Sequence, residues 1–550
     1  MSVLLLLRNS DISGFPKPLY GPQLEVQLTP GVWTNIIGDV IADEGIRWRR
    51  GLSGTGPTDC VASTGTLEFT LRNDALNSGL TAGWYSPHHA NVRSGWTYGI
   101  PCRLLYGVNF TMYPLFYGKI RSIHPTPGLK FAPRVAVLVQ DAMGDFAEYR
   151  IRNLGVQITQ SETALLQAII DGLSPSARPV YIDLDQAVDI YPVAFDNVQA
   201  GVNGLQLLTD IVVSARGCLY VTGNGSFTYR NRKTLARRSS ELTLSSTQLY
   251  GGDGASFEVP SSMASAYNRV RVTVHPKSFS PTNDEVLYAA TGVVSVPGLP
   301  ATVLWGTYSD PDNPLQTVGG MEAQPEGTGS RALVPYLDYE ANTLPDGTGT
   351  DRTANLTVTA TPYASGVEFS LSHLGQTEGY GPLYLVTDGG HYAAQGTPWL
   401  RLRGRAIYDN GPITMESSST ADFGDRVLEV DLPLQDDPAV AQSVANYLRT
   451  IYEQATNRVE AITLNPQAIG MANGLDLDIT DVITVSETVT GLSSAQVAIQ
   501  AIEGEIMPLT ENGYLLLTLH TRPILQQQLW ILGDPVASIL GSTTRLGWVG

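Results

Sequence analysis

Strict alternation of apolar and polar positions dominates the first quarter of the chain. In Thr66–Arg72, Leu67, Phe69 and Leu71 fall on one face and Glu68, Thr70 and Arg72 on the other, which is the period of a half-buried strand. Further strands are expected at Pro101–Tyr106, Pro114–Ile123 and Arg134–Gln140, with turn residues between them at Gly107–Asn109 and Pro125–Gly128. Short strands at this spacing predict a barrel or sandwich over residues 1–146. The apolar run Val3–Leu7 follows no basic stretch and is broken at once by Arg8, Asn9 and Ser10. It is too short for a signal peptide and reads as a first strand.

The period changes over 147–255, which reads as a small α/β module. Thr159 and Glu162 match a capping box, and Leu165, Ile169 and Leu173 follow at helical spacing. A second helix is expected from Asn203 as N-cap, with Gly217 ending it in the left-handed conformation. Cys218–Thr222 and Ser226–Arg230 then predict a hairpin around Gly223-Asn224-Gly225.

Residues 256–426 return to β-rich sequence: an entry strand, then an insertion with a sandwich-like part at 351–425. Strands are expected there at Leu356–Thr361, Val367–Leu371, Leu383–Val386 and Trp399–Arg405. Ser309–Gly349, crowded with Pro, Gly, Asp and Thr, reads as a surface excursion. Residues 427–525 hold one helix, with Asp437 as N-cap, Pro438 at the first position and a stripe of Val440, Val444, Tyr447, Leu448 and Ile451. Further strands are expected at Val459–Leu464, Val482–Val485, Val497–Ile502 and Tyr514–His520. The apolar segment 526–550 reads as a docking peptide. The fold class is therefore mainly β with minor α/β, in several domains.

Composition narrows the functions. Of 550 residues, 43% are hydrophobic and 16% charged, and the net charge is −18. That balance excludes disorder as the main state, and the charge disfavours tight duplex binding. No apolar run approaches the ~20 residues of a membrane-spanning helix. Three cysteines, Cys60, Cys102 and Cys218, form neither a disulfide framework nor a zinc knuckle.

Candidate chemistry is sparse. His88 and His89 are adjacent and on a strand would point to opposite faces, a poor arrangement for one metal. Asp183/Asp185 and Asp476/Asp478 are i, i+2 pairs that could share a strand face as a glycosidase or cation pair. Asp476–Asp481 nevertheless alternates like an ordinary strand approach and lacks the sixth-position Gly of an EF-hand loop. Neither a phosphate-binding loop nor a nucleophile elbow occurs. Two basic clusters, Arg47/Arg49/Arg50 and Arg230/Arg232/Lys233/Arg237/Arg238, could contact single strands, but in an acidic chain they read as salt-bridging surfaces. No catalytic, cofactor-binding or metal-ligating residue is assigned, and the chain is not expected to be an enzyme or to carry a cofactor.

Several stretches, taken in order, resemble one family. Gly65–Asp74, Pro101–Leu105, Pro114–Arg121 and Val137–Ala142 resemble the opening domain of tail-tip hub proteins of long-tailed bacteriophages. Tyr267–Val274 resembles the strand entering the second half of that family. Val427–Leu434, the helix after it, Val459–Leu464 and Leu475–Val485 resemble its closing barrel, and the segment from Ile531 to Gly547 its C-terminal tail. The resemblance implies a virion structural protein with two related barrels per subunit. Three copies would form a ring joining a sixfold tail tube to threefold tip or fibre proteins. Its implied neighbours are the distal tail or tail-tube protein, the tape-measure protein and tail-fibre or tip proteins, with DNA passing through without specific binding. It would be made in the host bacterial cytoplasm and reside at the tail tip. A second reading is a receptor- or carbohydrate-binding tail module, with Tyr363, Tyr384, Tyr392 and Trp399 presenting aromatics to a sugar. A third is a cell-wall hydrolase using Asp183 or Asp476.

Overall fold

The computed structural model describes residues 21–524, apart from 55, 57–58, 129–131, 152–153, 197–201, 246–256, 260–265, 283, 323–332, 376–378, 380, 386–399, 420–423, 454–458, 465–469 and 508–513. The expected strand at Val3–Leu7 and the segment 526–550 lie outside the described residues.

The protein is mainly β, as the alternation predicts. Its largest sheet draws on both ends of the sequence. From the first part come β1 (Gly21–Thr29), β2 (Val32–Asn35), β3 (Ile46–Gly51), β4 (Ser63–Arg72), β5 (Pro101–Val108), β6 (Thr111–Thr126) and β7 (Arg134–Gln140). The middle supplies β8 (Ser240–Ser245) and β9 (Phe257–Glu258). The last part supplies β10 (Ala461–Leu464), β11 (Val482–Glu487), β12 (Leu492–Met507) and β13 (Tyr514–Pro523). Their order is β9-β10-β13-β12-β3-β4-β7-β6-β5-β1-β2, with β8 on β11 and β11 on β12.

β12 is the splice. One of its edges pairs with β11 through residues up to Ala498 and with β3 from Ala501 to Ile506. Its other edge carries β13. The sequence suggests a strand only at Val497–Ile502. The flanking Leu492–Gln496 and Glu503–Met507 are strand because partners wait on both sides, a tertiary effect that local pattern does not report.

One buried cluster runs from Leu24 and Trp48 through Leu165, Ile211 and Phe227 to Ile502 and Leu519. The α/β module at 147–255 therefore shares its core with both ends of the chain. Its helices span Glu162–Gly172 and Gly204–Ala215, and its sheet orders Tyr181–Leu184, Ser226–Arg230 and Cys218–Val221. Asn203 caps the second helix by accepting from the Leu205 amide at 2.8 Å. The first helix starts two residues later than the capping box predicts. Ser161 accepts from the Ala164 amide, and Thr159 takes a left-handed φ of 52°. Glu162 is drawn off to the Val188 and Asp189 amides at 2.6 and 2.9 Å, so it cannot close the box. The second helix ends with Arg216, not Gly217, in the left-handed region.

A second cluster is built by the insertion, from Leu287 to Ala406. Ser309–Gly349 is not merely a surface excursion. Tyr339 and Ala341 are buried in this core, and Asp338, Glu340 and Asn342 are buried beside them. Asp338 grips Arg403 at 2.6 Å and accepts from the Val334 amide at 2.8 Å. These partners let polar residues sit inside.

The helix Pro438–Tyr452 starts as expected, with Asp437 accepting from the Ala439 amide at 2.8 Å. It packs on a separate three-stranded sheet, in which Arg269–Val274 lies between Ile413–Ser418 and a parallel Val427–Leu432. Val427–Leu432 and the helix, expected within the closing barrel, thus form their own core with Val270, Val272 and Val274. The buried stripe is Ala441, Val444, Ala445 and Tyr452, while Tyr447 is exposed at 40%. Small alanines let the helix approach the sheet, which apolar size alone does not predict.

Candidate functional site

The charged residues singled out by sequence converge on the joints between strands. β3 alternates, turning Ile46, Trp48 and Arg50 inward and Arg47 and Arg49 outward. Opposite them, β12 places Glu505 and Glu503. Arg47 meets Glu505 at 2.8 Å and Arg49 meets Glu503 at 3.2 Å, while Arg50, 6% exposed, pairs with Asp478. Between the outward pairs, Trp48 lies over Gly504. A Cβ at Gly504 would fall 1.9 Å from the indole, so glycine is required for the approach rather than for any turn. The outward pairs are half-exposed and contribute little each. Arg50–Asp478 is the one shielded from water.

The second basic cluster ties the α/β module together. Arg230 binds Asp183 at 2.5 Å and Asp185 at 3.0 Å, and Asp185 also accepts from the Asn231 amide at 3.0 Å. Arg232 pairs with Asp189, and Arg238 with Asp481 at 2.7 Å. Lys233 and Arg237 are exposed. The structure thus brings together two sequence candidates of opposite kinds: the carboxylate pair is held by the very cluster considered for nucleic acid. Two carboxylates clamped by one guanidinium are poorly placed for proton transfer or attack.

Asp476–Asp481 is not a strand approach. Asp476 caps the short helix Met471–Leu475, and Asp478 and Asp481 lie in the turn before β11. Asp481 accepts from the Asp478 amide at 2.7 Å. His88 and His89 occupy an exposed turn, not a strand, and His89 accepts from the Asn91 amide at 3.1 Å. Among the described residues, no cluster of three or more His, Cys, Asp or Glu could hold a metal ion. Burial pushes the Cys60 thiol up to about 12 and raises Cys102 and Cys218 as well, so none is an activated nucleophile near neutral pH.

Two features escaped the sequence reading. Residues 74–100 form an ordered loop around buried Tyr85, whose hydroxyl donates to Asp39 at 2.5 Å while Trp96 donates to its carbonyl at 2.9 Å. A polar, turn-rich loop gives no periodic signal for such a core. The other is Asp141, fully buried where β7 ends. It accepts from the Met143 amide at 3.0 Å, and burial pushes its carboxyl up to about 7. Of the sugar candidates, Tyr392 and Trp399 lie outside the described residues, Tyr384 is half-buried in the strand Leu383–Leu385, and Tyr363 lies apart from it in the turn between Thr357–Pro362 and Gly366–Ser372.

The described residues define a mainly-β scaffold whose charged groups lock strands and modules to one another. Open depressions lie over the β3–β12 seam and over the outer face of the Arg269–Val274 sheet. No helix among the described residues is long and apolar enough to cross a membrane.

No protein-family model matches the sequence. No curated protein sequence matches it. Among solved structures, the chain is similar to a 43 kDa tail protein of prophage MuSo2 from Shewanella oneidensis, at 10% identity and a TM-score of 0.45, covering 92% of this chain and 98% of that one. It is similar to a tail protein from Neisseria meningitidis, at 8% identity and 0.46, covering 92% and 97%. It is also similar to a prophage tail protein from Listeria monocytogenes, at 9% identity and 0.40, covering 91% and 94%. All three likenesses are loose.

Proposed function

We propose that the chain is a structural virion protein, the tail-tip or baseplate hub of a long-tailed phage, acting by assembly rather than catalysis. Three copies form a ring with two barrel-like halves per subunit, joining the sixfold tail tube to threefold tip or fibre proteins. The tape-measure protein and then DNA pass through its centre. The observation that carries this reading is the β3–β12 seam. The opening strands β4 to β7 and the closing strands β10 and β11, which carry much of the sequence resemblance, belong to one continuous sheet. The net charge of −18 supports a channel that repels phosphate and lets DNA slide.

Electron-microscope class averages of the purified chain are expected to show threefold rings with an open centre. In particles of the phage that encodes it, gold-labelled antibody is expected at the tail tip. Particles that lack the chain, or label confined to the capsid, would refute the reading.

A further inference from the structure

The outer face of one sheet in the insertion is left unused by the assembly reading. Strand Gly366–Ser372 lies between Thr302–Thr307 and Thr357–Pro362. Alternate residues of the three strands, including Phe369, Leu371 and Ala360, enter the core. The opposite face is exposed, and its two central cross-strand rows are Trp305, Glu368, Thr361 and Val303, Ser370, Thr359.

Trp305 is 54% exposed. Its ring stacks on Tyr363, with centroids 5.4 Å apart and planes 17° from parallel. The Tyr363 hydroxyl donates to Glu368 at 3.3 Å, fixing the tyrosine that backs the indole. A single exposed tryptophan is unremarkable on a surface. A tryptophan braced by a second ring, beside rows of short hydroxyls and one carboxylate, is a rigid apolar plate with hydrogen-bonding groups at its edge.

We propose that this face binds a neutral, hexose-containing saccharide. The C–H face of a pyranose lies on the open side of Trp305, and its hydroxyls exchange hydrogen bonds with Glu368, Thr361 and Ser370. Charge selects this class. The three strands contain no Lys or Arg and one carboxylate, so the face complements a neutral polyol and disfavours sulfated, phosphorylated or nucleic-acid polymers. A protein partner would need a wider apolar centre than Val303 and Trp305 provide. The face differs from the aromatic set suggested by sequence, sharing only Tyr363 with it. It is exposed on the single chain, and the inference does not rest on the ring.

The test is binding of the full chain to immobilised neutral oligosaccharides of glucose, galactose, mannose and N-acetylglucosamine, followed by titration calorimetry. At least one is expected to bind with a dissociation constant below about 1 mM. Trp305→Ala is expected to weaken it about tenfold or more, with an unchanged thermal midpoint because the side chain is exposed. Glu368→Gln, which preserves shape, is expected to weaken it to a smaller extent, and Trp305→Phe to retain part of it. Retention of no neutral glycan at that limit, retention of anionic glycans alone, or equal binding by Trp305→Ala would overturn the proposal.

Discussion

Replacing Gly504 by alanine tests the seam directly. The added Cβ would meet three atoms of the Trp48 ring at 1.9, 2.2 and 2.3 Å. Trp48 is 4% exposed, so the ring cannot swing into solvent. Either it leaves its position or β12 moves away from β3. Overpacking of this kind costs about 1–3 kcal/mol. Trp48→Ala alone removes the ring and is expected to cost about 3–5 kcal/mol. In that background the new methyl has room, so Gly504→Ala should cost almost nothing. The double-mutant cycle should therefore show a coupling of about 1–3 kcal/mol. Because a protein of several cores need not unfold in one step, the measurement is native-state hydrogen exchange at the amides of Ile46–Gly51 and Ala501–Ile506. Gly504→Ala should speed local exchange there by roughly 5- to 150-fold. Unchanged protection, or an equal cost in both backgrounds, would refute the packing argument.

Three further outcomes follow from the same geometry. Asp141 holds its proton to about pH 7 against an ordinary value of 3.8, so the folded state binds more protons between those values and its stability falls as pH rises through that window. The loss is at most about 4 kcal/mol, and Asp141→Asn should remove it; a difference between variant and parent that stays constant from pH 4.5 to 7.5 in urea titrations would contradict this. Asp338→Ala leaves the Arg403 guanidinium, 9% exposed, without its buried partner. It should destabilise the insertion by about 3–5 kcal/mol, visible as faster exchange at Arg401–Asp409 with the β3–β12 amides unaffected. Asp437→Ala should cost about 1 kcal/mol and Asp437→Ser recover most of it, read from the thermal midpoint; equal midpoints for all three proteins would remove the cap's role.

Much of the β pattern was legible because alternation survives wherever one face is buried. Arg134–Gln140 was found to the residue, and Asn203 and Asp437 were recognised as caps because capping depends on local backbone donors. Features that depend on distant partners were not legible. Glu162 looks like half of a capping box until the Val188 and Asp189 amides claim it. Asp183 and Asp185 look like a catalytic pair until Arg230 arrives from the hairpin. Ser309–Gly349 looks like a solvated loop because nothing in its composition announces that Arg403 will bury Asp338. Trp305 carries no signal because no strand is expected at Thr302–Thr307, and only the register with Gly366–Ser372 shows the indole on the outer face.

A sheet assembled from both ends of the chain also sets a clock on its synthesis. Arg47 and Glu505 are 458 residues apart. At about 5–20 residues per second of translation, β3 waits roughly 20–90 s for β12 after leaving the ribosome. During that interval its free edge is a template for any other strand, including β3 of a neighbouring nascent chain. Two such edges would bring Arg47 and Arg49 against their own copies, and like charges oppose that pairing. Nascent chains arrested before residue 492 should therefore aggregate more when both arginines are alanine. The residues that later clasp the two halves together act beforehand as guards against the wrong partner.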